Sequence, residues 1–195
     1  RGRFGIDESD TVVLFVSMNF DVKGLDALIR AMASARRLHP DRGLKLLVVG
    51  KGREEPYRKL ARDLGIGGDV LFAGVMEKNL EKIYRACDIF SILSKFDTFG
   101  MTVLEAMAAG LPVLISDRVG AKDLVRSGIN GFVIGETMDA EGVGSKIGLM
   151  MDREVRARMG AAARETSDGQ TWERAAERVR AVYEALFQQW ERRER

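Results

Sequence analysis

The chain has 195 residues, with 31 Lys and Arg against 29 Asp and Glu, 46% hydrophobic residues, 21 Gly, 3 Pro, one Cys and one His. A chain of this size buries roughly 70% of its unfolded surface, so a full core is available and disorder or a collagen-like repeat is excluded. A net charge of +2 leaves no cation excess for nucleic acid, one Cys allows no intrachain disulfide, and one His allows no histidine-based metal cluster.

The apolar pattern then alternates between two periods. Residues 11–17 predict a strand, and Leu25, Leu28, Ile29 and Met32 follow the three-four spacing of a buried helix face. Residues 44–49 predict a second strand, and Tyr57, Leu60, Ala61 and Leu64 a second helix that stops at Gly65. Residues 70–73 and 89–93 read as strands on either side of a helix carrying Leu80, Ile83, Tyr84 and Cys87. A fourth helix begins at about Phe99, carries Val103, Leu104 and Met107, and stops at Gly110 and Pro112. Residues 113–116 and 132–134 complete six strands, several of them apolar at consecutive positions, as strands covered on both faces are. After Gly135 the pattern is helical only, over 143–151, 153–164 and 172–190, with a charged, solvated tail at 191–195. This order predicts an α/β fold with a doubly wound parallel six-stranded sheet and C-terminal helices, whose ligands bind at the carboxyl ends of the strands. The last helix carries Ala176, Val179, Val182, Tyr183, Leu186 and Phe187 on one side. Packing of Val179 to Leu186 on the chain's own domain is the expectation, with Phe187 and Trp190 as the end of a face turned elsewhere.

Three turns carry candidate chemistry. Lys23 stands at the mouth of the first helix, where a cation and helix amides act together on a phosphate; a solvated surface lysine reads the same way. No G-x-G-x-x-G fingerprint is present there, which argues against a nicotinamide enzyme. Gly50, Lys51, Gly52 and Arg53 favour a tight turn over a ligand loop. In the stretch from Ser94 to Met107, free amides of Phe99, Gly100 and Met101 are expected at the helix start, with Asp97 just before it and Glu105 in its second turn. Carboxylates accept paired hydrogen bonds from vicinal hydroxyls, so the pair suits a ligand with hydroxyl-rich ends on both sides of a phosphate. Helix capping by Asp97 or Thr98 and a wet-face Glu105 are the plain alternative.

The stretch from Asp97 to Val113 resembles the E-x7-E signature of the retaining nucleotide-sugar glycosyltransferases of family 4, the group 1 family. Lys23-Gly24, the Gly50-Lys51-Gly52 turn, residues 70–74, the run from Ile83 to Asp88, Ser116-Asp117, residues 128–131 and Thr171-Trp172-Glu173 are similar to further family motifs in the same order. The resemblance implies the C-terminal half of a two-domain B-type fold. Residues 1–170 would be a Rossmann-like domain for the nucleotide-sugar donor, and 171–195 a crossing helix and tail. It implies that Lys23 holds the donor diphosphate, with Asn19 and Gly24 beside it. Glu105 would take the ribose hydroxyls, Asp97 with Phe99, Gly100, Met101 and Thr102 would meet the transferred sugar, and Val75 and Met76 would border the base. Lys23, Asp97 and Glu105 are thereby the expected catalytic residues, with no metal and no cofactor beyond the donor substrate.

Two departures stand out. Asp97 occupies a position where the family has Glu, about 1.5 Å longer. Ser17-Met18 stands where the family often has Gly-Arg, although Asn19-Phe20 is similar to a subset acting on lipopolysaccharide core sugars. The resemblance implies an N-terminal acceptor domain of the same polypeptide as partner; separately, the start at Arg1 instead of Met is expected of a segment of a longer chain, or of a processed terminus. Nucleic acid is not expected. A cytoplasmic setting is, with peripheral membrane contact through the full enzyme. The segment is expected to bind nucleotide sugar without turnover. A non-catalytic binding module of the same fold and half of a sugar-nucleotide epimerase are the rival readings.

Overall fold

The structure, a computed structural model, describes residues 1–76, 78–135, 137 and 139–193, with side chains to Trp190. The charged tail expected at 191–195 therefore falls outside the described side chains. The strands are β1 (Thr11–Ser17), β2 (Leu44–Gly50), β3 (Val70–Gly74), β4 (Ile89–Ile92), β5 (Val113–Ser116) and β6 (Gly131–Ile134). They form one sheet in the order β3-β2-β1-β4-β5-β6, and every pairing is parallel. Val12 to Phe15 are fully buried, which explains the absence of polar alternation in β1. The order reverses between β1 and β4, so the loops leaving these strands diverge to opposite faces and open a crevice between them.

The helices are α1 (Leu25–Leu38), α2 (Glu55–Asp63), α3 (Leu80–Ala86), α4 (Met101–Ala108), α5 (Ala140–Met150), α6 (Arg153–Asp168) and α7 (Trp172–Arg193). Leu25, Leu28, Ile29 and Met32 of α1 are buried, and α1 packs against α2 and α5, while α4 packs against α6. Asp139 and Asp152 cap α5 and α6, their carboxylates accepting from Gly142 N and from Glu154 N and Val155 N. In α2 the expected stripe is shallower: Ala61 is buried, Tyr57 and Leu60 are half-buried, and Leu64 lies exposed beyond the helix end. Tyr57 instead packs edge-on against Phe20, with ring centroids 5.8 Å apart.

Asp88, within the run from Ile83 that resembles a family motif, lies at the amino end of the sheet. Its carboxylate accepts Val12 N at 2.8 Å and pairs with Arg1 and Arg156. That network ties the entry of β1 to α6, at the opposite edge from the crevice, and burial pushes the neighbouring Cys87 thiol up to about 12, with Asp88 adding to the shift.

The packing expected for α7 is overturned. Val179, Val182, Tyr183 and Leu186 are between 56% and 70% exposed, no better covered than Phe187 and Trp190. The sheet residues Val12 to Phe15, Leu46 to Val49 and Val113 to Ile115 are already buried beneath the helices of residues 1–170, so the sheet face that a further amphipathic helix would cover is occupied. The beginning of α7 meets the domain, where Trp172, Ala175 and Arg178 line a groove with Phe99, Met101 and Leu104.

Candidate active site

The turn after β1 is shaped by its own polar side chains. Ser17 Oγ accepts from Asn19 N at 2.8 Å and donates to Asn19 O at 2.9 Å, and Asn19 Oδ1 accepts from Val22 N at 3.1 Å. Asn19 thus orders the turn, which leaves its Nδ2 donors for a ligand. The turn ends at Gly24, with φ of 71°. A Cβ there would lie 2.0 Å from Leu93 O, so only glycine lets α1 start this close to the end of β4. Lys95 N donates to Val22 O at 2.8 Å, and Lys95 Nζ pairs with Asp21 at 2.6 Å, fastening the two loops together.

The loop after β4 is anchored from the other side. Asp97 N donates to Arg118 O at 3.0 Å, Gly120 N to Asp97 O at 3.1 Å, and Ala121 N to Phe99 O at 2.7 Å. These bonds hold Asp97 between the two halves of the crevice, and its carboxylate forms an ion pair with Lys23 Nζ. The side chains retain 13% and 23% of their accessible surface, so the pair is largely removed from water. Asp97 Oδ1 also accepts from Phe99 N at 3.3 Å. The expected helix start is corrected here. Gly100, with φ of 90°, is the N-cap and α4 begins at Met101. Phe99 is therefore outside the helix with its amide already engaged, and the amides at the helix's open positive end are those of Gly100, Met101 and Thr102.

Glu105 sits in the second turn of α4 and is exposed, as the plain alternative required, yet it is not merely solvated. Tyr84 Oη donates to its Oε2 at 2.7 Å. The two residues line a cleft of about 480 Å³ between α3 and α4, together with Leu80, Arg85 and Arg164. Burial, then the hydrogen bond and charge of Glu105, push the Tyr84 hydroxyl well above its ordinary range. It stays a protonated donor at neutral pH. Val75 and Met76 follow β3, two strands from β1, on the loop that leads to Leu80. Val75 is 47% exposed and Met76 packs partly on the core. The structure thus joins Lys23, Gly24, Asp97 and the α4 start in one crevice, places Glu105 one helical turn beyond, and leaves Val75 and Met76 after β3, outside the lining of the Glu105 cleft.

Sequence reasoning missed Tyr84 as a polar group, because its spacing assigns it to a buried stripe. The available signal was the hydroxyl itself: a tyrosine on a buried stripe, here only 3% exposed, needs a partner for its O–H.

The family model described as "Glycosyl transferases group 1" matches residues 1–166. The chain belongs to the group 1 glycosyltransferases. It is 34% identical over 201 residues to the D-inositol 3-phosphate glycosyltransferase of Nocardia farcinica, a match over 98% of this chain and 44% of that protein. The crystal structure of WaaG, a glycosyltransferase involved in lipopolysaccharide biosynthesis, aligns with 91% of this chain and 49% of its own, at TM-score 0.81 and 27% identity. The C-terminal domain of the group 1 protein LpcC from Francisella tularensis shares the fold at TM-score 0.69 and 20% identity, over 83% of this chain and 86% of that domain. This group 1 glycosyltransferase chain thus spans less than half the length of the curated relative and of WaaG.

Proposed function

We propose that residues 1–170 form the donor-binding domain of a retaining glycosyltransferase that moves a hexose from a nucleotide-diphosphate sugar to a glycan or lipid-linked acceptor. The observation that carries this reading is the meeting of Lys23 and Asp97 beside the open amides of α4, at the point where the strand order reverses. A diphosphate with about two negative charges competes effectively with one carboxylate for the Lys23 ammonium, and the amides of Gly100, Met101 and Thr102 add donors. Asp97, released from Lys23, then faces the sugar hydroxyls. The acceptor oxygen bonds to the anomeric carbon as the carbon–oxygen bond to the diphosphate breaks. The electron pair leaves with the diphosphate, stabilised by Lys23 and the amides, and the acceptor proton passes to the leaving group. This assignment needs no metal ion. Residues 171–195 are the crossing helix and tail, which meet an N-terminal acceptor domain of the same polypeptide in a cytoplasmic, membrane-peripheral enzyme.

Calorimetry with UDP, GDP, ADP and their hexose conjugates tests the reading. The chain is expected to bind one ligand class without releasing free sugar, and Lys23→Ala or Glu105→Ala to weaken binding about 10- to 100-fold, the worth of a charged hydrogen bond. Absence of binding to every member rejects a working donor site. It would favour a non-catalytic module of the same fold, a reading supported by the engagement of Lys23 by the shorter Asp97.

A further inference from the structure

Glu105 is an exposed side chain with three rotatable bonds, and ordering such a side chain opposes ligand binding through lost rotamer freedom. Tyr84 has the opposite character. It is 3% exposed, its ring packs against Phe90 with centroids 6.2 Å apart, and its position is set by the core. Its hydroxyl is a fixed donor at the rim of the cleft, 2.7 Å from Glu105 Oε2.

We infer that Tyr84 is a positioning residue that holds Glu105 ready to accept the vicinal hydroxyls of the donor's ribose, so that this buried tyrosine governs selection of ribonucleotides over deoxyribonucleotides. The inference rests on the donor-domain reading. An ionised carboxylate has about four acceptor sites, and Tyr84 occupies one, leaving enough for two hydroxyls. The hydroxyl lies on a buried helix face and Glu105 on a different helix, so the bond fixes the carboxylate across the cleft instead of along its own helix. A cleft of about 480 Å³ has room for a nucleoside portion beside the pair. With a permanently protonated donor, the carboxylate keeps this orientation throughout the neutral range.

The test is a double-mutant cycle on the full chain, with Tyr84→Phe and Glu105→Ala, read by calorimetry against ribonucleoside diphosphates and their 2′-deoxy and 2′,3′-dideoxy counterparts. Tyr84→Phe is expected to weaken the ribonucleotide about tenfold and the dideoxy form hardly at all, collapsing the discrimination ratio. In the Glu105→Ala background it is expected to change neither. Equal losses for ribo and dideoxy ligands, or additive losses in the cycle, would assign Tyr84 to packing alone and overturn the inference. An unchanged ratio in Tyr84→Phe overturns it too, while leaving the donor-domain reading intact. Failure of the unsubstituted chain to bind any diphosphate overturns both.

Discussion

Lys23 and Asp97 form an ion pair across the crevice between β1 and β4, although 74 positions separate them in the chain. Each is presented by a loop held from outside: Gly24 against Leu93 on one side, and Asp97 against Arg118 and Gly120 on the other. Removing the carboxylate leaves a partly buried ammonium without its partner. Asp97→Asn is therefore expected to lower unfolding free energy by about 1–3 kcal/mol. It is also expected to raise affinity for a free nucleoside diphosphate severalfold, because the ligand no longer displaces a carboxylate. Denaturant melts and calorimetry measure both, and weaker diphosphate binding in Asp97→Asn would show that the carboxylate helps to hold the ligand.

Gly24→Ala meets two obstacles. The left-handed backbone at φ 71° disfavours any side chain, and the new methyl group would stand 2.0 Å from the Leu93 carbonyl oxygen. The obstructing atoms are the backbone and Cβ of Leu93 and not a flexible side-chain end, so the loops must separate. A loss of about 2–4 kcal/mol in a urea melt is expected, with loss of diphosphate binding, since Lys23 is the preceding residue. A normal melt would show that the two loops are not held at this distance.

The side chains of the α7 stripe from Val179 to Trp190 are more than half exposed, so they are expected to contribute little to the stability of the domain. Leu186→Glu together with Phe187→Glu is expected to move the unfolding free energy by less than about 0.5 kcal/mol, whereas Leu28→Glu in the core is expected to abolish cooperative folding. The paired substitutions should also reduce any self-association seen by light scattering, because they break a contiguous apolar face. A large drop in the melting temperature with the α7 pair would mean that the helix folds back on the sheet.

Asp152 carries a pH dependence. The Val155 amide, followed by the Glu154 amide, Arg42 and Arg156, holds its carboxyl below the ordinary carboxylate range. A depressed folded-state value contributes stability above the unfolded value and loses it as pH falls through the folded value. Asp152→Ala should therefore lower the melting temperature at pH 7, and the gap to the unsubstituted chain should narrow as the pH drops below about 4. A gap that stays constant down to pH 2 would assign the effect to helix propensity instead of the charged cap.

The strands and most helices were legible in the sequence because they follow from local periodicity. A short, β-branched-rich apolar run such as Val12 to Phe15 suits a strand covered on both faces, and the spacing of Leu25, Leu28, Ile29 and Met32 suits a helix with one buried side. Motif spacing also marked Lys23, Asp97 and Glu105 as a set. What the spacing missed depends on encounters between distant segments. The helix start shifted from Phe99 to Met101 because Gly100 adopts a left-handed conformation next to Val119, and Phe99 N turned back to Asp97.

The amino-acid sequence by itself determined the α/β alternation, the buried strands and the family, since each is written in local pattern. Only the tertiary structure decided that Lys23 is held by Asp97, that Tyr84 reaches Glu105, and that the stripe of α7 from Val179 to Leu186 stays exposed. The first two need contacts across α1, α3 and α4, and hydrogen bonds with sub-ångström demands do not appear in periodicity. For the last, the α7 pattern records that an apolar face exists, but whether anything covers it depends on how much sheet the other helices have already occupied.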